Sequence, residues 1–162
     1  MDSLAHKIQE YRRQLSQGHI QKAYQGIMTF MTGLKSYLEN NHPDYFTSAL
    51  YFGYMDMTYF AFTPAVLKNK KLKIAIVYLH EQGRFEAWLG GNNRKVQAEY
   101  IERLSRSELG KYQLSQVSPG VDSIVESILV DRPDFDSLDS LQQEIETEVI
   151  KFISDMILLL HG

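Results

Sequence analysis

The stretch "KKLKIAIVYLHEQGRFEAWLGG", residues 70–91, constrains this chain more than any other. Two runs of alternating, β-rich residues flank a glycine-containing turn, which is a strong hairpin signal. The spacing predicts strands over 71–81 and 84–91, joined by Gln82 and Gly83. With those two as the loop, Glu81 opposes Arg84, His80 opposes Phe85, and Val77 opposes Trp88. Directly opposed residues share a face. One face then carries Leu72, Ile74, Ile76, Tyr78, His80, Phe85, Ala87 and Leu89, and reads as core. The other carries Lys73, Ala75, Val77, Leu79, Glu81, Arg84, Glu86 and Trp88. It is too apolar for plain surface and too charged for plain core. Its ordinary reading is a solvated face with a covering tryptophan and a surface Glu81–Arg84 pair.

Helical periods lie on both sides of this hairpin. Leu4, Ile8, Tyr11 and Leu15 share a helix face, with Asp2 or Ser3 as cap and Gly18 as stop. Ile20, Tyr24, Ile27, Met31, Leu34 and Leu38 form a second, wider stripe. Gly26 and Gly33 interrupt that helix, which suggests a close approach by another element. Residues 50–62 read as a further strand, with Asp56 in the middle of an aromatic run. A third helix starts at Asn92 or Asn93, and residues 111–117 form a fourth strand or an extended connector. Asp122 or Ser123 caps a helix carrying Ile124, Val125, Ile128 and Leu129. A last helix spans about 140–161 and ends in the apolar "MILLL". These elements add up to one α+β domain over 1–162. It has a small antiparallel sheet of three to four strands, with an N-terminal helical pair and C-terminal helices packed mainly on one face.

Composition narrows the function classes. There are 17 basic and 20 acidic residues, a formal net charge of −3. A general nucleic-acid binder carries basic excess, so no nucleic-acid partner is expected. The chain has no cysteine, which excludes disulfides, zinc–thiolate sites and thiol catalysis. The five histidines lack HxH or HExxH spacing, so no metal site is expected. No phosphate-binding, dinucleotide-binding or nucleophile-elbow motif occurs, and no cofactor is implied. The first residues alternate charge with apolar side chains, unlike a signal peptide. No apolar run approaches a membrane span, so no membrane partner is expected and a cytoplasmic setting is the default.

Where chemistry can lie is the mixed sheet face. Asp56 is flanked by Tyr54 and Thr58. If the strand over 50–62 pairs beside the hairpin, Tyr54, Asp56, Arg84, Glu86 and Trp88 converge in an aromatic cleft. Small-ligand sites have that composition. The expected function is a binding or regulatory module holding a small molecule or a protein segment there. An enzyme using Asp56 or Glu86 as general base, with Arg84 on an anionic substrate, is one alternative. A structural homodimer joined through the C-terminal helix is the other.

The stretches "GYMDMTYFAFTP", "LKIAIVYLHEQGRFEAWLGGNNRKVQ" and "GVDSIVESILVDRPDFDSLDSL" resemble a family of small bacterial proteins classed as a domain of unknown function. That resemblance implies a cytoplasmic bacterial protein of single-domain build. It carries no activity and no catalytic residues.

Overall fold

The computed structural model describes residues 2–161. Its elements run α1 Leu4–Gln17, α2 His19–Asn41, β1 Phe46–Thr47, β2 Met57–Thr63, α3 Ala65–Lys68, β3 Leu72–Leu79, β4 Arg84–Gly91, α4 Arg94–Leu104, β5 Gln113–Leu114, β6 Ser123–Val130 and α5 Leu138–Leu160. The fold is α+β with one antiparallel sheet. That sheet has six strands in the order β1-β2-β3-β4-β6-β5, not three to four.

The hairpin forms, but with a four-residue turn. Leu79 opposes Arg84, Val77 opposes Glu86 and Ala75 opposes Trp88. The Gly83 N–H donates to the Leu79 carbonyl at 2.8 Å, and Gly83 takes a positive φ of 67°. The expected register is therefore off by two residues. A slip of two preserves which side each residue faces, where a slip of one would invert it. Leu72, Ile74, Ile76, Tyr78, Phe85, Ala87 and Leu89 are all buried in the core.

Two segments depart from their sequence reading. Residues 123–130 form strand β6, paired with β4, not a helix. The apolar spacing of Ile124, Val125, Ile128 and Leu129 fits a helix, but the segment is short and rich in β-branched residues. Such a run packs well on a pleated surface. The segment over 50–62 is also not one strand. Tyr51 bridges to Tyr59, and the chain between turns back through Gly53 (φ 77°) and Met55 (φ 65°). A Cβ on Gly53 would meet the Met57 carbonyl oxygen at 1.9 Å, so this turn requires glycine.

The helices build their core on one side of the sheet. Phe30, Met31, Leu34 and Leu38 of α2, Val96 and Leu104 of α4, and Leu141, Ile145, Val149, Phe152 and Met156 of α5 join the buried strand residues. Of the "MILLL" end, Met156 and Leu160 are buried within this chain, while Leu158 stays exposed. Glu146 ties α5 to the end of α2. It accepts from the Tyr37 hydroxyl at 2.8 Å and from Asn41 Nδ2 at 3.2 Å, and it pairs with His42 Nε2 at 2.8 Å. Helix α1 is capped by Ser3 Oγ and ended by left-handed Gly18, as the sequence suggests, yet none of its residues is buried.

Gly26 has no close neighbour: a Cβ there meets nothing within 4 Å. The close approach expected at this glycine is absent. Gly26→Ala should stabilise the chain by about 0.5–1 kcal/mol, because alanine loses less backbone entropy in a helix. Thermal unfolding should shift up by about 2–4 °C for each kcal/mol.

Burial opposes ionisation of Glu146, but the bonds from Tyr37, His42 and Asn41 prevail and hold its carboxyl below the usual range. A lowered folded pKa gives stability that is present above the unfolded value of about 4.3 and lost as pH falls through the folded one. Wild type should therefore outlast Glu146→Gln at pH 7, with the two converging below about pH 4 in thermal melts.

Candidate functional site

The sheet face opposite the helices carries Met57 and Tyr59 of β2, Lys73, Ala75 and Val77 of β3, and Arg84, Glu86, Trp88 and Gly90 of β4. The core helices bury the other face; on this one Tyr59, Ala75 and Trp88 are half-buried, while Val77 and Glu86 are buried among their neighbours. A cleft of ≈ 340 Å³ opens on this face. Its floor is low because Ala75 and Gly90 are small. Its walls are Tyr51, Tyr59 and Met57 on one side and Trp88 on the other, with the segment Gly120–Ser123 at one end. The Tyr51 and Tyr59 rings pack at 4.8 Å between centroids. Strands β2 and β4 flank β3, so their walls stand about 9–10 Å apart. That gap admits one flat ring or one large side chain.

Gly90 permits the geometry of the end wall. A Cβ there would lie 3.4 Å from the Asp122 carbonyl oxygen and 3.6 Å from the Lys73 stem. Helix α4 pins the same wall. The buried Gln97 side chain donates to the carbonyls of Val121 (2.8 Å) and Ser123 (3.0 Å), and Arg94 also donates to Val121 O. Three carboxylates line the cleft, Asp56, Asp122 and Glu126, against one lysine, Lys73. Glu126 accepts from the Ser123 hydroxyl at 2.6 Å, and Asp122 meets Arg94 at 3.4 Å in an exposed pair.

The five residues singled out from sequence meet different fates. Arg84, Glu86 and Trp88 come together along β4. Glu86 is only 3% exposed, and both its oxygens are engaged. Arg84 Nε donates to Oε2 at 2.7 Å and Trp88 Nε1 donates to Oε1 at 2.8 Å. The expected partner of Arg84 was Glu81. The shifted hairpin register instead pairs Arg84 with Glu86, and more weakly with Asp131 at 3.9 Å. Trp88 forms a wall of the cleft, while Arg84 and Glu86 support Trp88 from beside it.

Asp56 lines the cleft from the turn before β2, not from within a strand. Its Oδ1 accepts the backbone N–H groups of Tyr54 (2.9 Å) and Met57 (2.7 Å), which hold its carboxyl below the usual range. Tyr54 is 91% exposed and lies outside the cleft. Thr58 faces the core instead, donating to the Phe52 carbonyl and bonded to His80 Nε2 at 2.8 Å. With the hydroxyl proton spent on Phe52, the imidazole N–H donates to Thr58. Desolvation pushes His80 below its ordinary pKa, which fits a neutral structural ring stacked on Tyr24.

The sequence reading missed Tyr51, Tyr59, Asp122 and Glu126 as cleft residues, and Gln97 as the support of its end wall. The useful signals were Gly53, which turns Tyr51 back beside Tyr59, and the small Ala75 and Gly90 on a face of large residues. Among the described residues no group of three or more His, Asp or Glu side chains could hold a metal ion, and no helix is long and apolar enough to cross a membrane.

Trp88→Phe would leave Glu86 Oε1 buried without a donor. It should cost about 1–3 kcal/mol in urea unfolding. Adding Glu86→Met to that variant should recover part of the loss, because no buried acceptor remains unpaired and the half-exposed Arg84 can be hydrated.

No curated protein and no solved structure matches the chain. A family model does match, over residues 4–160, and by it the chain belongs to the family described as a domain of unknown function, DUF7000.

Proposed function

We propose that this protein is a binding or regulatory module whose working surface is the open sheet face. The observation that carries the reading is the pairing of a sheet face outside the helical core with a cleft floored by Ala75 and Gly90 between aromatic walls. Sites of this kind combine apolar walls with a few polar groups that set orientation. The occupant is a small molecule with a flat apolar group, or a segment of protein that presents one large side chain. Lys73, Asp122 and Glu126 supply the polar ends.

The enzyme alternative draws less support. A general base needs a free, well-placed lone pair and a pKa near the working pH. Glu86 gives both oxygens to Arg84 and Trp88, and the carboxyl of Asp56 is held low. The homodimer through α5 loses most of its motive, because Met156 and Leu160 are already covered.

Trp88 is the single tryptophan of the chain, so its fluorescence reports on the cleft. A screen of metabolites and short peptides should yield ligands that shift Trp88 emission and raise the melting temperature. A ligand at about 100 times its Kd adds about 2.7 kcal/mol. Ala75→Leu, which fills the floor, should abolish both responses without lowering the melting temperature. Ligands that stabilise the protein equally in Ala75→Leu would contradict this site.

A further inference from the structure

The apolar stripe of helix α1 is largely uncovered among the described residues. Leu4, Ile8 and Tyr11 are 73%, 46% and 55% exposed and fall on one stripe. Its main packing partner is α2. A 14-residue helix is marginal in water by itself and ordinarily owes its order to packing of its apolar face. Here only Leu15, at the C-terminal end of the stripe, is half-buried, and Leu4, Ile8 and Tyr11 stay largely open among the described residues.

The charge of α1 says what would cover it. Glu10 is spent on Arg13 at 2.6 Å and on Gln14. Lys7 and Arg12, which flank the stripe, have no ion-pair partner among the described residues. Two such helices facing each other would bring these like charges together, so α1 does not suit pairing with itself. It suits an apolar surface edged with carboxylates. This molecule displays one: the open sheet face, with Trp88, Tyr59 and exposed Ile128 among Asp56, Asp122 and Glu126, three carboxylates that outnumber the one lysine of the cleft, Lys73.

We infer that α1 of one copy docks on the open sheet face of a second copy, and that the two copies exchange these helices reciprocally. The inference rests on the binding-face reading above and names its occupant. Each chain then contributes one arm and one face, the isologous arrangement of a two-fold dimer. Each arm is about 21 Å long at 1.5 Å per residue, and two arms double the buried surface. Ile8 or Tyr11 presents the large side chain that the gap over Ala75 admits. Opposite charge at the rim speeds encounter and weakens with salt.

The test uses the full chain. Light scattering and Trp88 emission are followed on dilution, with fold checked by circular dichroism. Wild type should be a dimer that dissociates on dilution with a red shift of Trp88. Ile8→Glu, which spoils the arm, and Ala75→Leu, which blocks the face, should each weaken association at least tenfold. Mixed together they should associate again, because one arm and one face remain intact. Failure of the mixture to associate, while each variant is monomeric, would overturn the exchange. A wild-type chain that is monomeric throughout would overturn it too. If small molecules still move Trp88 emission in that monomer, the binding face stands and only its occupant is wrong. Ile8-dependent binding of a monomer to phosphatidylglycerol vesicles would assign α1 to a lipid surface and equally overturn the inference.

Discussion

The pairing of β3 with β4 is the constraint on which the rest depends. Eight opposed pairs, from Leu72–Gly91 to Leu79–Arg84, sort the hairpin into two chemically distinct faces. On one side Ile74, Ile76, Phe85, Ala87 and Leu89 demand burial and receive it from α2 and α5. On the other, Lys73, Arg84 and Glu86 cannot be buried under an apolar helix without losing hydration. Buried charge is tolerated only when paired and hydrogen-bonded. Glu86 meets that condition through Arg84 and Trp88. The same alternation that makes the core therefore leaves the opposite face open.

That open face is shaped by what flanks the hairpin. The turn at Gly53 returns Tyr51 to lie against Tyr59, and Gln97 on α4 holds the carbonyls of the Gly120–Ser123 wall. Small residues at 75 and 90 lower the floor between these walls. None of these features is strong alone. Together they make a depression of the size of a small ligand or a docked side chain on a surface that is otherwise unpartnered.

Much of the fold was legible because local periods agree with burial. The stripe of α2, the span of α5, the Ser3 and Asn93 caps, and the two faces of β3 and β4 all follow from residue pattern. The faces survived even a wrong turn length, since the error was an even number of residues. Illegible parts were those decided by distant partners. Segment 123–130 is a strand because β4 offers an edge to it, while its own apolar spacing also suits a helix. Buried Ser123 and Ser127 break its strand alternation. Asp56 looked like a strand carboxylate because the run around it is aromatic. Gly53 was the sign of a turn, and that turn removes Tyr54 to solvent and ties Asp56 to backbone N–H groups. Of the five candidate site residues, the three on β4 cluster because one strand carries them at spacing two.

The most direct test of this account is thiol labelling of single cysteines introduced at 75 and 87. The chain has no cysteine of its own, so each variant reports one position. A thiol at 75 should react readily with a small maleimide in the dilute protein, and one at 87, beneath α2 and α5, should react only on unfolding. Equal protection at both positions would mean that this chain itself covers the second face, and the account of an open binding face would be wrong.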